Sequence, residues 1–122
     1  MTYKEIFEMI ESFGLPSSYH HFSEGRVPPT PYIVFYYPNS NDDPADNINF
    51  GRIRALTIEL YTDNKRFDLE ESIEAILTSN TIPFEKSEAY IDSEHMYQIV
   101  YETEMVINDP VTDPDPEVND EN

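Results

Sequence analysis

The chain has no cysteine and no tryptophan, and only three glycines among its 122 residues. Without thiols it has no disulfide framework, no thiol nucleophile and no cysteine-based zinc site, and it suits a reducing compartment. Three glycines leave little for a phosphate cradle, and G-x-G-x-x-G, Walker, G-x-S-x-G and H-E-x-x-H sequences are all missing. Basic residues are scarce as well. Seven Lys and Arg stand against 25 Asp and Glu, a formal net charge of -18. Such a surface does not neutralise phosphates, which excludes a generic nucleic-acid binder and disfavours anionic membranes. No apolar run approaches the roughly 20 residues of a spanning helix. The start, MTYKEIFEMI, lacks a basic segment followed by an apolar one, so no signal peptide is expected.

What is present is enough for one core. Hydrophobic residues make up 39%, with nine Tyr and seven Phe, and the length fits one domain rather than two. Thr2 and Glu5 form a T-x-x-E capping box. Ile6, Phe7, Ile10 and Phe13 then make an apolar helical stripe, which Gly14 and Pro16 bring to an end. Residues 15–31 carry Pro16, Gly25, Pro28, Pro29 and Pro31, and no regular structure is expected there. The run Tyr32 to Tyr37 is apolar on both alternations, which predicts a strand covered on both faces, one of them by a partner subunit.

Residues 38–49 read as a polar loop. A long strand from about Phe50 to Thr62 follows. Leu56, Ile58 and Leu60 share one face and Thr57, Glu59 and Tyr61 the other, and the strand is expected to project as half of a hairpin arm. Asp68 and Glu71 suggest a variant capping box for a second helix. Its stripe is Leu69, Ile73, Ile76 and Leu77, and Asn80 and Pro83 end it. Phe84–Ile91, a turn at Asp92–Glu94, and His95–Ile107 complete the pattern. The expected fold is α+β in the order α-β-β-α-β-β, a four-stranded, largely antiparallel sheet with two helices on one face. Residues 1–108 form the single domain, still acidic, with 19 acids and seven bases. Residues 109–122 hold six acids, three prolines and no base, and read as a disordered acidic tail.

The chemistry-bearing candidates are few. His20 and His21 are adjacent, and in an extended segment they point apart, so solvated loop histidines are the better reading; His95 is read likewise. Asp42, Asp43 and Asp46 lack the glycine and terminal glutamate of a calcium loop, and Pro44 interrupts them. Arg52 and Arg54 share one strand face. They read as a strand end balancing nearby acids or, functionally, as an inter-subunit clamp on carboxylates. Lys65 and Arg66 read as a solvated turn, with intersubunit pairing second. No catalytic residue, cofactor or metal is expected, and no enzyme.

The second half carries IELYT, a K-x-x-x-LE-x-x-IE helix, a Y-I-x-SE turn and MYQ-x-x-YE, preceded by PYIVFYYPNSNDDPADN. Over roughly residues 1–107 this pattern resembles the tail-terminator, or tail-completion, proteins of long-tailed phages and prophages. The resemblance implies an α+β subunit that assembles into a ring, most simply a hexamer. The ring caps the tail tube, ends its polymerisation and docks the head connector. The implied partners are further copies of the chain, the major tail tube protein and the head connector protein. The implied location is the tail–head junction of the virion, after assembly in the host cytoplasm. An acidic lumen would let DNA pass without sticking. The expected subunit contacts are Tyr32, Phe35 and Tyr37 on the two-sided strand and Phe50, Arg52 and Arg54 on the arm. A different neck protein, for head completion or stopping, is the near alternative, and an acidic DNA-mimic inhibitor the remote one.

Overall fold

The computed structural model describes residues 1–38 and 52–108. Two helices and five strands follow in the order α1 (Tyr3–Glu11), β1 (Ser17–Tyr19), β2 (Tyr32–Tyr36), β3 (Arg52–Thr62), α2 (Phe67–Ser79), β4 (Phe84–Ile91) and β5 (Met96–Ile107). The strands form one sheet in the order β1-β2-β3-β5-β4. The α+β class holds, but the expected four-stranded sheet and its element order do not. The sheet has five strands and is mixed, because β1 lies parallel to β2, pairing Ser17 to Tyr19 with Ile33 to Phe35. Three residues after a proline are too few to show an alternation, so the segment looks irregular in sequence. Its backbone groups are nevertheless taken up by β2, with Ile33 N–H donating to Pro16 C=O and His20 N–H to Phe35 C=O, both at 2.8 Å.

The capping box forms. Glu5 N–H donates to Thr2 Oγ1 at 3.1 Å, and Thr2 N–H donates to Glu5 Oε1 at 2.8 Å. Gly14 takes a φ of +79°, which ends α1 without the Cβ clash of other residues. The start of α2 differs from expectation. Arg66 is its N-cap with no side-chain capping bond, and the Asp68 carboxylate is instead gripped by the Arg66 guanidinium at 2.9 and 3.0 Å.

β3 pairs with β5 over its whole described length, from Arg52 opposite Ile107 to Thr62 opposite Tyr97. β2 reaches only Thr57 to Tyr61. Residues 52–55, the described part of the expected arm, pair with residues 104–107 of β5 alone, past the ends of both β2 and β4. The rest of the arm, with Phe50, and the acidic tail lie outside the described residues. The start of the chain closes onto the end of β5, where Met1 nitrogen donates to Val106 C=O and Asn108 N–H to Met1 C=O.

One core joins both helices to one face of the sheet. Ile6, Ile10 and Phe13 of the first helix and its C-terminal turn, Ile73 and Leu77 of α2, and Leu56 and Ile58 of β3 all belong to it, as their stripes predict. Ile33, Phe35, Leu60, Ile99, Tyr101 and Ile107 complete it. Among the described residues no helix is long and apolar enough to cross a membrane.

Candidate functional site: the face of the sheet opposite the helices

Side chains alternate across a strand, so the residues between the core positions stand on the other face. The register sets Tyr32, Tyr61 and Gln98 in one row, Val34, Glu59 and Val100 in the next, and Tyr36, Thr57 and Glu102 in the third. Among the described residues, no helix contributes to this face. Its carboxylates are Glu59, Glu85, Glu102 and Glu104. Glu85 lies directly opposite Glu102, a like-charge neighbour that costs stability. At the far end Ile53 pairs with Val106, and both stay about half exposed, at 55% and 45%.

The centre of the face is organised around Glu59. Tyr61 hydroxyl donates to its Oε1 at 2.7 Å and Tyr36 hydroxyl to its Oε2 at 3.0 Å. Gln98 Nε2 donates to the Tyr61 oxygen at 2.9 Å. Burial and then the hydrogen bond to Glu59 push both phenols above the ordinary tyrosine range. The two hydroxyls therefore stay protonated donors, and the carboxylate stays aimed.

Beside it lies a hollow of about 300 Å³. Tyr32, Val34, Glu59 and Tyr61 form its floor. Phe22 and Val27 come from the loop before β2, and Ile91, Glu94 and Met96 from the β4–β5 turn. Tyr32 stacks on Tyr61 with ring centres 5.1 Å apart, and Phe22 meets Tyr32 edge-on at 5.3 Å. Tyr32 is also raised above its usual range, by burial first and by the charge of Glu94 second.

This loop answers part of the question posed by the two-sided apolar strand. Tyr32 and Val34 are buried by the chain itself. Phe35 lies in the core on the helix side, 6.1 Å from Phe7. Tyr37 packs edge-on against Tyr3 at 5.3 Å. Arg54 is on the same side, its guanidinium 5.7 Å from the ring centres of both Tyr3 and Tyr37. Arg52 is placed through its backbone, opposite Ile107. The expected contact residues are thus divided between the two faces rather than gathered on one.

His20 and His21 are brought together, contrary to the extended geometry expected of them. His20 adopts φ +69°, which turns the chain and leaves the two Nδ1 atoms 3.1 Å apart at the rim of the hollow. Among the described residues, no three His, Asp or Glu side chains are grouped to hold a metal.

Lys65 is no solvated turn residue. It bonds Glu70 and Glu88, and Lys86 bonds Glu70 at 2.8 Å and Glu74 at 2.7 Å. Glu74 also accepts from Tyr101 hydroxyl at 2.8 Å. Glu70 is almost completely buried, and this network fastens α2 to β4 and β5. Burial alone would raise its pKa, but the hydrogen bonds and charges of the two lysines outweigh that and hold it below the usual range. The sequence showed Glu59 and Tyr61 on a common face. It gave no sign of the Phe22 loop or of a buried glutamate in the second helix.

Compared with known protein families, curated proteins and solved structures, the chain matches none.

Proposed function

We propose that the chain is a structural subunit of a ring that caps the tail tube of a long-tailed phage, ends tube growth and joins the tail to the head connector. The observation that carries this reading is where the resembling segments fall. IELYT supplies Glu59 and Tyr61, Y-I-x-SE supplies Ile91 and Glu94, and MYQ supplies Met96 and Gln98. All six stand at the face opposite the helices or at its hollow. The K-x-x-x-LE-x-x-IE helix supplies Lys65, Glu70 and Glu74, which hold α2 onto the sheet. One set of segments builds the scaffold and the other builds a surface.

That surface is suited to contact rather than catalysis. It mixes tyrosines with half-exposed Ile53 and Val106, and aromatic residues are favoured in protein interfaces. Its outer strand β4 carries Glu85, Lys86 and Glu88, charges that oppose edge-to-edge strand pairing. Contacts through the face, repeated head to tail, close into a ring when the rotation allows. The acidic charge supports a lumen that does not bind the passing DNA.

Deleting the gene from the phage or prophage that encodes it tests the reading. Tails of uncontrolled length, unjoined to heads, are expected. Tails of normal length joined normally would refute it. Normal tails beside filled, unjoined heads would assign the chain to the head side of the neck instead.

A further inference from the structure

The hollow beside Tyr61 has the chemistry of a binding site for one cationic side chain. We infer that it is a socket for an arginine presented by a partner protein of the tail or neck. This inference rests on the reading of the chain as an assembly subunit and names what one of its contacts recognises.

Size comes first. About 300 Å³ accommodates a single long side chain and not a helix. The walls come second. Phe22, Tyr32 and Tyr61 offer aromatic surface, which attracts a cation and stacks against a flat guanidinium. Charge comes third. Glu59 and Glu94 line the hollow, and no Lys or Arg does. A carboxylate has about four acceptor directions. Tyr36 and Tyr61 fill two at Glu59, one on each oxygen, so each oxygen can still accept from a guanidinium fork. The tyrosine hydroxyls orient the carboxylate without neutralising it.

Four of the chain's seven cations are placed away from the hollow. Lys65 and Lys86 are held by Glu70, Glu74 and Glu88, and Arg66 by Asp68. Arg54 lies on the opposite face of the sheet between Tyr3 and Tyr37. With seven Lys and Arg against 25 Asp and Glu, a second copy is a poor electrostatic match for an acidic hollow, and charge complementarity favours a basic partner. Arginine fits better than lysine, because a compact ammonium uses neither the stacking surface nor the two-oxygen geometry.

The test titrates the ¹⁵N-labelled full chain with the peptide acetyl-Gly-Arg-Gly-amide, and separately with its citrulline analogue, which has nearly the same shape and no charge. Amide shifts concentrated at Phe22, Tyr61 and Glu94 are expected with arginine and none with citrulline. Glu59→Gln and Glu94→Gln should each weaken binding about tenfold. Glu94 sits in an exposed turn, so its replacement leaves the fold intact. An equal response to citrulline, shifts spread evenly over the acidic surface, or unchanged affinity in both variants would overturn the socket. Capping of purified tail tubes separates the two claims. Protein that binds the peptide but leaves tubes uncapped keeps the socket and removes the ring. Protein that caps tubes but ignores the peptide does the reverse.

Discussion

Tyr61 hydroxyl donates to Glu59 of its own strand at 2.7 Å. Two residues apart on a strand means the same face, so the bond forms along the side of the sheet opposite the helices and not into the core. The bond makes a half-buried acid a fixed acceptor. Its counterpart on the helix side is Tyr101, whose hydroxyl donates to Glu74.

Both tyrosines should titrate late. Burial, then the hydrogen bond to a glutamate, pushes Tyr61 and Tyr101 above the ordinary phenol range. Each raised pKa contributes stability that is complete below about pH 10 and is lost as pH climbs through the folded value. Ultraviolet titration of the native protein should leave these two phenols protonated after the exposed ones have ionised. Tyr61→Phe and Tyr101→Phe should each remove one late step. Simultaneous ionisation of all the tyrosines in the folded protein would contradict these bonds.

The Glu70 network should act on the acid limb. A depressed carboxyl pKa gives stability that is complete above the ordinary glutamate value of about 4.3 and is lost as pH falls through the lower folded value. Lys65 and Lys86 are raised. Burial lowers them, but Glu70 with Glu88, and Glu70 with Glu74, outweigh it. Their contribution is complete below about pH 10.4 and lost above their folded values. Glu70→Gln should cost about 1.5–3 kcal/mol at neutral pH and flatten the acid limb of a denaturant-derived stability profile. An unchanged profile would show that Glu70 does not hold the two lysines.

The core stripe of α2 is tested at Ile73, which is almost fully buried. Ile73→Ala should cost about 2–5 kcal/mol in urea unfolding. A loss of a few tenths would mean that another face of the helix is buried.

Arg54 distinguishes a role within the subunit from one between subunits. Placed beside two rings, its guanidinium should contribute about 0.5–2 kcal/mol to folding. Arg54→Met should lower stability by that amount in the isolated chain. Full stability together with defective assembly would place its partner on a neighbouring subunit.

Much of the architecture is legible in the residues, because periodicity reports burial directly. The Thr2–Glu5 box, the Ile6–Phe13 stripe and the alternation from Leu56 to Tyr61 place their elements without tertiary knowledge. The failures have physical causes. β1 is three residues long, and its bonds to β2 depend on a chain return that no local pattern encodes. Glu70 is buried because lysines five and sixteen residues away along the chain neutralise it, a pairing that no local pattern encodes. Phe22 lies in a proline-punctuated loop, yet it supplies one wall of the hollow. His20 and His21 meet only because one residue turns into the left-handed region. The outer-face pair Glu59 and Tyr61 was visible as a face. Its neighbours across the sheet were not.

The central claim is that this chain forms a ring on the end of a tail tube. Its most direct measurement is electron microscopy of purified tail tubes mixed with the full-length protein. The account predicts one ring of six-fold symmetry at one end of each tube, and no further growth from that end when tube protein is added. Bare ends that continue to elongate, with the protein remaining free in solution, would contradict it.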